Sequence, residues 1–391
     1  MPRSHDQPPA PRLIGFDATP LEVRQRSGVS RYASELLRAL LDRERDDATT
    51  ATTPYRYTLL SSRTLNGNAP PGVFRQNQLH FPNRSVWMQA VLPLELRRMQ
   101  PSLCHFTNMI APLVTPCPFV LTLHDLSLLL YAETQPTKSL IAVRPIMARA
   151  AHRAAAIIAV SHAIKQEIVT KLGVPAQRVH VIYEAASPAY KPIHDSAQLA
   201  AVKQRYQLHA PFVLCVGTIE PRKNLEALLQ ALVGLRKLGR SEPLVLVGGL
   251  GWKYEATLRA IEQLGLSDCV RLMGYVPDED LPAIYTLARV LAFVSRYEGF
   301  GLPILESMAC GTPVVTSNGS AMAELGAGAA LLVDPAQPER IAQALQRVLI
   351  DDALHGELRG AGLARASQFS WAKAAAETVA VYEECLEPRS P

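Results

Sequence analysis

Two glutamates, Glu298 and Glu306, stand eight residues apart in this 391-residue chain, and a turn rich in glycine and proline separates them. The apolar run 290–294 before them predicts a strand buried on both faces, and residues 304–310 predict a helix. Glu298 is therefore expected at the carboxyl end of the strand and Glu306 in the first turn or so of the helix. Ligands bind at that edge of an open α/β sheet, where helix N-termini attract phosphates. Because carboxylates accept hydrogen bonds from hydroxyls, the segment predicts a site for a phosphorylated sugar, although an isolated glutamate at a helix start is often only a dipole partner or cap.

A second group of polar residues follows the predicted strand 212–216. Gly217 allows the backbone to turn sharply, and Arg222 and Lys223 then stand at the predicted start of a helix with leucines on one face. Because the helix dipole disfavours cations at that end, two adjacent ones indicate either an anion bound nearby or a solvated loop. Arginine suits the first interpretation, since its guanidinium can bind an anion through two hydrogen bonds.

The first half of the chain contributes two further candidates. Gly28 precedes a predicted helix, where a glycine allows a phosphate to approach closely, but a lone glycine there is usually just part of a turn. His124 follows the predicted strand 119–123, and the adjacent Asp125 is a group that could orient its ring. A lone histidine in such a position is more often structural than functional.

Buried strands and amphipathic helices alternate along the chain, which predicts an α/β fold of parallel sheets with helices on both faces. Prolines and polar residues between 188 and 209 separate two strand–helix series, which places a domain boundary near residue 190. The predicted strands are 13–17, 57–60, 103–106, 119–123, 157–160 and 179–183 in the first half, and 212–216, 244–247, 270–273, 291–294, 314–316 and 331–333 in the second. The predicted division is a disordered tail over 1–11, a first domain over 12–190, a second over 191–370, and a C-terminal helix and tail over 371–391.

Composition agrees with a globular protein of two ordinary domains, with 48% hydrophobic residues and a mean hydropathy near zero. No run of about 18 apolar residues predicts a membrane span, and the N-terminus has no apolar core of a signal peptide. Six cysteines are scattered without metal-ligand spacing, which predicts reduced core residues in a cytoplasmic protein.

Charge is uneven along the chain. Residues 1–195 hold 22 Lys+Arg and 14 Asp+Glu, a net charge of +8, whereas residues 196–391 hold 18 and 21, a net charge of −3. A basic half indicates either an anionic partner, such as a membrane surface that carries the substrate, or simply solvated arginine-rich helices such as 24–45. Basic residues are not interleaved with aromatic ones in a run, so no nucleic-acid partner is predicted.

The segment from Glu298 to Glu306, with its continuation 307–315, resembles the paired-glutamate signature of the retaining family-4 glycosyltransferases. Gly217 followed by residues 222–224, Arg-Lys-Asn, resembles the diphosphate-binding pattern of the same family. The family uses the GT-B architecture. The resemblance therefore implies two facing, doubly wound Rossmann-like domains, with the C-terminal helix packed back on the first.

The resemblance covers nearly the whole chain and is strongest over residues 217–334. In the first domain many relatives carry paired glycines where this chain has Ser27-Gly28. Many also read Pro-Asn-Gly after the strand near residue 180, where this chain reads Tyr-Glu-Ala-Ala-Ser over residues 183–187. That variant resembles mannosyltransferases that build bacterial surface polysaccharides, which favours GDP-mannose as the donor.

The resemblance implies that Glu298 contacts the donor sugar and Glu306 the ribose hydroxyls, while backbone amides of residues 300–302 face the diphosphate. The implied catalytic residues are His124, Glu298, Arg222 and Lys223. The implied donor-binding residues are Gly28, Gly217, Arg222, Lys223, Glu298, Gly299, Phe300, Gly301, Leu302 and Glu306. The two cations would offset the charge of the leaving diphosphate without a metal ion or other cofactor, and His124 would support the positive charge that develops on the sugar.

Two patterns are assigned no chemistry. Asp278-Glu279-Asp280 resembles an acidic metal-binding motif, but the prolines around it favour acidic residues at a helix start. The run 248–251, Gly-Gly-Leu-Gly, is too short for a dinucleotide fingerprint and is interpreted as a loop after a strand, in a position to approach the nucleotide.

The sequence thus predicts a metal-independent, retaining glycosyltransferase that moves a hexose, with mannose favoured, from a nucleotide diphosphate to a glycan on a lipid carrier. Attack on the front face and a covalent intermediate both remain open. Three alternatives are a UDP-sugar-dependent member of the family, a sugar-nucleotide binding module without activity, and a pyridoxal-phosphate phosphorylase. The last would need a Schiff-base lysine and usually a much longer chain.

Overall fold

The computed structural model describes residues 11–23, 27–48, 55–63, 65, 75–78, 81, 83–208 and 211–387. The predicted disordered tail lies outside these residues apart from Pro11. The chain forms two compact units. The first comprises Met1–Leu126, Thr137–Tyr183 and Trp371–Pro391, and the second comprises Ser127–Pro136 and Glu184–Ser370.

The first unit contains a parallel sheet of seven strands in the order β3-β2-β1-β4-β5-β6-β7. Its strands are β1 (Arg12–Asp17), β2 (Tyr55–Ser61), β3 (Arg75–Gln78), β4 (Leu103–Phe106), β5 (Phe119–Leu123), β6 (Ala156–Ala159) and β7 (Val179–Val181). The second unit contains a parallel sheet of six strands in the order β10-β9-β8-β11-β12-β13. Its strands are β8 (Val213–Val216), β9 (Leu244–Val247), β10 (Val270–Gly274), β11 (Val290–Phe293), β12 (Val314–Ser317) and β13 (Leu331–Val333).

Helices connect the strands. In chain order they are α1 (Gly28–Ala48), α2 (Arg84–Val86), α3 (Leu92–Met99), α4 (Ser127–Leu130), α5 (Thr137–Ala142), α6 (Arg144–Arg153), α7 (His162–Leu172), α8 (Ser196–Arg205), α9 (Leu225–Lys237), α10 (Glu255–Gln263), α11 (Leu281–Leu287), α12 (Leu302–Ala309), α13 (Ser320–Gly326), α14 (Pro338–Ile350), α15 (Asp352–Ala366) and α16 (Trp371–Leu386). Shorter 3-10 turns cover Thr19–Glu22, Ala132–Thr134, Ala176–Arg178 and Pro221–Lys223, and Trp87–Val91 forms a π-helical turn.

The predicted α/β class is confirmed, and each of the twelve predicted strands is present within a few residues of its expected bounds. The sequence analysis missed β3, whose residues Arg-Gln-Asn-Gln carry no apolar signal because β3 lies at the edge of its sheet. Within the described part of the chain, no helix combines the length and the apolar character that a membrane crossing requires.

Each sheet reverses its strand order at one point, between β1 and β4 in the first unit and between β8 and β11 in the second. The loops that leave the carboxyl ends of the two neighbouring strands diverge at such a point and open a crevice, which is where doubly wound sheets bind ligands. The Arg222-Lys223 segment follows β8 and Glu298 follows β11. The topology therefore brings the two motifs of the second unit to the same crevice.

Helix α9 fixes the position of the segment that precedes it. Its leucines face the core, and Leu228 and Leu229 are completely buried, as the sequence pattern predicted. At Gly234 the helix comes so near to α14 that an added Cβ would lie 3.0 Å from the Cβ of Ala342. This close packing anchors the helix that starts at Leu225, directly after the turn that carries the two cations.

The six cysteines are free thiols. Cys104, Cys215 and Cys310 are buried, but Cys117, Cys269 and Cys385 are only partly buried, so the prediction of core residues holds for half of them. The Sγ atoms of Cys104 and Cys117 lie 3.4 Å apart.

Helix α16 belongs to the first unit and packs against α1. The hydroxyl of Tyr382 on α16 lies 2.7 Å from Nδ1 of His105, whose Nε2 lies 2.8 Å from the hydroxyl of Thr122. The hydroxyl of Tyr32 on α1 lies 2.9 Å from the same threonine oxygen. Burial, with a smaller contribution from nearby His124, lowers the pKa of His105 to about 3, so this ring is neutral and each of its nitrogens has a hydrogen-bonding hydroxyl beside it.

We expect Tyr382→Phe to lower the free energy of unfolding of the first unit by about 1–3 kcal/mol, because it leaves a buried nitrogen of His105 without its partner. Thermal or denaturant unfolding of the full chain measures this change. The exposed neighbour Glu383, changed to Gln, is the matched control on the same helix. Equal stability of the two variants would contradict a structural role for the Tyr382–His105 hydrogen bond.

Candidate functional site

The loop after β8 begins with a backbone geometry that only glycine adopts readily. Gly217 has φ of +147°, and a Cβ at this position would lie 3.2 Å from Cε of Lys223. Gly248, which follows β9, has φ of +145°, and its Cβ would lie 2.1 Å from the carbonyl oxygen of Gly217. The run 248–251 is thus a loop after a strand, as predicted, and it packs directly on the loop that carries the cations.

Arg222 and Lys223 do not lie in the helix itself. They occupy the 3-10 turn Pro221–Lys223, and Asn224, with φ of +57°, separates that turn from α9. The side-chain amide of Asn224 donates to the carbonyls of Val294 and Pro335 at 3.0 and 2.8 Å. This side chain therefore ties the β8 loop to the end of β11.

The two cations bind the first glutamate of the paired signature. Arg222 Nη1 lies 2.5 Å from Glu298 Oε2, and Lys223 Nζ lies 2.6 Å from Glu298 Oε1. The hydroxyl of Ser295 donates to the same Oε1 at 2.8 Å. Arg222 Nη2 binds a second carboxylate, Glu220 Oε1, at 2.6 Å. Two cations and two carboxylates form one cluster, which we call the charge cluster, comprising Glu220, Arg222, Lys223 and Glu298.

The charge cluster is almost completely removed from water. The side chains of Glu220 and Glu298 are 2% and 10% exposed, and those of Arg222 and Lys223 are 13% and 14% exposed. Burial alone would raise the pKa of Glu298, but the charges of Arg222 and Lys223 outweigh it and hold this pKa at about 2. Glu298 is therefore ionised throughout the physiological pH range. The group that contacts both cations in this structure is thus a carboxylate of the protein.

A small cavity lies beside the charge cluster. Gly217, Lys223, Phe293 and Ser295 contribute to its lining. The Lys223 ammonium also lies 4.9 Å from the centroid of the Phe293 ring, within the range of a cation–π contact.

Glu306 lies in the second turn of α12 rather than the first, because the helix begins at Leu302. It is 1% exposed, and its Oε2 accepts a hydrogen bond of 2.8 Å from the hydroxyl of Tyr285 on α11. The sequence analysis did not identify Tyr285. The Tyr285 ring packs edge-on against the Tyr190 ring at a centroid distance of 5.9 Å. This packing holds the hydroxyl that orients the Glu306 carboxylate.

The turn between the glutamates places backbone amides at a helix start. Gly301, with φ of +113°, precedes α12 and has no side chain that could cap the helix. Phe300 and Leu302 are buried. Peptide N–H groups at such an end suit an anion, and the diphosphate role of the backbone of residues 300–302 stays a prediction.

The first unit holds the other two predicted residues. His124 follows β5 and is buried, and its Nε2 lies 2.9 Å from the carbonyl oxygen of Thr107. Since a carbonyl only accepts, Nε2 carries the proton. The ring stands edge-on to Tyr32 at a centroid distance of 4.7 Å. Thr107, which the sequence analysis did not select, therefore fixes the tautomer of His124.

Gly28 is the first residue of α1, and no atom lies within 4 Å of the Cβ that another residue would add there. Ser27 and Ser30 cap the helix reciprocally, because each backbone N–H binds the other's hydroxyl, at 2.7 and 3.3 Å. The open space beside Gly28 agrees with a position that a ligand approaches.

The prediction that Asp280 stands at a helix start is confirmed. Although Asp280 immediately precedes α11, its side chain makes no capping hydrogen bond. Its carboxylate instead accepts from Arg205 at 2.7 and 2.9 Å and from the hydroxyl of Tyr206 at 2.6 Å. Among the described residues, no group of three or more His, Cys, Asp and Glu side chains could hold a metal ion.

Comparison with known families matches both halves of the chain. Residues 26–189 match the family described as Glycosyltransferase Family 4, and residues 200–363 match the one described as Glycosyl transferases group 1. The chain is 37% identical over 266 residues to the O-antigen chain mannosyltransferase B of Escherichia coli, which covers 68% of this chain and 70% of that protein. It is 35% identical over 227 residues to the serotype-specific mannosyltransferase WbdA of Escherichia coli, but this covers 57% of the chain and only 28% of WbdA.

Solved structures confirm the predicted GT-B fold. The crystal structure of Anabaena HepE in complex with UDP and glucose superposes with a TM-score of 0.73 at 21% identity, over 95% of this chain and 100% of HepE.

We expect Glu298→Gln to lower the stability of the second unit most strongly at neutral pH. A carboxyl whose pKa falls from 4.5 to about 2 on folding contributes about 3 kcal/mol, fully present above pH 4.5 and lost as the pH falls towards 2. The difference in thermal stability between wild type and variant should therefore narrow from pH 7 to pH 3. Glu226→Gln, at an exposed position of α9, is the control. A difference that is constant with pH would show that the ion pairs do not produce the effect.

Proposed function

Since the chain belongs to glycosyltransferase family 4, we propose that it transfers mannose from GDP-mannose, with retention of configuration, to a lipid-linked glycan during assembly of a bacterial surface polysaccharide. The observation that carries this proposal is the charge cluster at the switch point of the second sheet. It combines two cations for a diphosphate with a carboxylate for a sugar hydroxyl, beside a helix start that suits an anion.

The choice of mannose rests on the relatives. Two of them are named as mannosyltransferases, and one of these acts, by its name, on O-antigen chains. The Tyr-Glu-Ala-Ala-Ser variant at residues 183–187 supports the same donor. A UDP-sugar is the competing donor, and calorimetric titration distinguishes it from GDP-mannose.

In the proposed reaction, the bond between the sugar C1 and the β-phosphate oxygen breaks and a bond from C1 to an acceptor hydroxyl oxygen forms. The hydroxyl proton passes to the departing phosphate oxygen. Arg222 and Lys223 offset the charge on that phosphate, which is the work a metal ion does in other enzymes, so we propose that no metal is needed. We assign His124 to the positive charge that develops on the sugar, and Glu306 to the ribose.

The state of Glu298 supports attack on the front face over a covalent intermediate. Its Oε1 accepts from Lys223 and Ser295, its Oε2 accepts from Arg222, and its pKa is about 2. A carboxylate so weakly basic and so well hydrogen-bonded is a poor nucleophile and a poor proton acceptor. We therefore assign it to orientation of the sugar and of the two cations.

The acceptor is proposed from charge and from the relatives. A net charge of +8 over residues 1–195 suits a substrate carried on an anionic membrane surface, such as a glycan on a lipid diphosphate. We propose that the protein works at the cytoplasmic face of the inner membrane, in peripheral contact with it.

Calorimetric titration with GDP-mannose, GDP, UDP and UDP-hexoses in the presence of a chelator tests the donor. We expect GDP-mannose to bind wild type and binding to weaken at least tenfold in Glu306→Ala, because the ribose hydroxyls lose their acceptor. Tighter binding of a UDP-hexose would keep the enzyme class and overturn mannose. Binding only after addition of a divalent metal would refute metal independence, and binding without any transfer would favour a binding module.

Arg222→Ala should lower kcat at least tenfold, which corresponds to about 1.4 kcal/mol of barrier, because the leaving diphosphate loses a bidentate partner. Transfer of radiolabelled mannose to a lipid-linked acceptor measures this rate. Arg259→Ala, at an exposed position of α10, makes the same chemical change away from the site. Wild-type turnover in Arg222→Ala would refute the role assigned to this guanidinium.

A further inference from the structure

Glu220 is the member of the charge cluster to which neither the family signature nor the proposed reaction gives a role. It directly precedes the turn Pro221–Lys223, and its Oε1 binds Arg222 Nη2 at 2.6 Å. The opposite amino group of the guanidinium, Nη1, binds Glu298 and the carbonyl of Tyr297. Glu220 and Glu298 therefore grip Arg222 from two sides and fix the plane of its guanidinium.

The two carboxylates differ in how firmly their charge is stabilised. Glu298 accepts from three side chains, and its pKa is low. Burial raises the pKa of Glu220, whose side chain is 2% exposed. The charges of Arg222 and Lys223 act to lower it, and the charge of Glu298 raises it further. Of the two, Glu220 is the one that takes a proton more easily.

We propose that Glu220 is a positioning residue for Arg222 and that it takes up a proton when the donor diphosphate binds. This inference rests on the proposed function, since it requires a diphosphate at Arg222 and Lys223. Without donor, the two carboxylates balance the two cations.

A donor diphosphate adds two negative charges to this balanced set. Repulsion between these charges and the buried Glu220 carboxylate is large in a site shielded from water, and protonation relieves it. A protonated Glu220 keeps a carbonyl oxygen that still accepts from Arg222 Nη2, and so the guanidinium remains oriented. Protonation of Glu220 thereby removes the negative charge that repels the diphosphate, and the hydrogen bond from Arg222 Nη2 remains.

The linkage between proton uptake and donor binding gives the direction in which affinity changes with pH. A ligand that raises the pKa of a group binds more tightly as the pH falls, by up to tenfold per pH unit between the pKa of the free and of the bound state. GDP-mannose is the right probe, because its diphosphate diester has no group that titrates near neutrality, whereas the terminal phosphate of GDP does.

Calorimetry of GDP-mannose binding to the full chain, between pH 5 and 8 in buffers of different ionisation enthalpy, counts the protons taken up. Wild type should take up protons and bind more tightly at lower pH. Glu220→Gln, which keeps the acceptor oxygen but cannot titrate, should show neither effect and should bind more tightly than wild type at pH 8. Glu226→Gln should behave as wild type.

Turnover tests the positioning role separately. Glu220→Ala removes the acceptor as well as the charge, so its kcat should fall at least tenfold, and Glu220→Gln, which keeps the acceptor oxygen, should lose less kcat than Glu220→Ala. Comparable losses in both variants, or a pH dependence of binding unchanged in Glu220→Gln, would overturn the inference. Failure of wild type to bind GDP-mannose and UDP-hexoses alike would instead refute the proposed function on which it rests.

Discussion

The ion pairs between the loop after β8 and the loop after β11 are the contacts on which the site of the second unit depends. The two strands are neighbours at the point where the sheet reverses its order, so their loops would diverge without a link. Arg222 and Lys223 reach across to Glu298, and Asn224 reaches to the carbonyl of Val294. A buried ion pair is by itself weak evidence for stability, because desolvation offsets much of its attraction. Because these ion pairs lie at the ligand crevice, we attribute them to function rather than to stability.

Much of the fold was predictable because parallel strands covered on both faces are apolar throughout. The runs 290–294 and 212–216 show this pattern, and both are strands in the structure. β3 shows the converse, since an edge strand of four polar residues has no apolar pattern to find. The pattern also does not give strand order, which places β8 beside β11 although their sequence positions are far apart.

The candidate residues were predictable individually, but their partners were not. Gly217, Glu298 and Glu306 stand where strand and helix ends were expected. Yet the hydrogen bond of Tyr285 to Glu306 joins separate helices, and nothing in the sequence near Tyr285 marks it. Asp280 stands at the predicted helix start, but its partners could not be predicted for the same reason. Local spacing favours a cap, but the tertiary fold brings Arg205 to the carboxylate, and an ionic hydrogen bond is stronger than a cap.

The charge cluster also bears on how tightly a diphosphate can bind. Arg222 and Lys223 already have carboxylate partners within 2.6 Å, so Glu298 offsets part of the attraction that these cations have for a diphosphate. Glu298 therefore limits the affinity for a diphosphate while it keeps the two cations oriented.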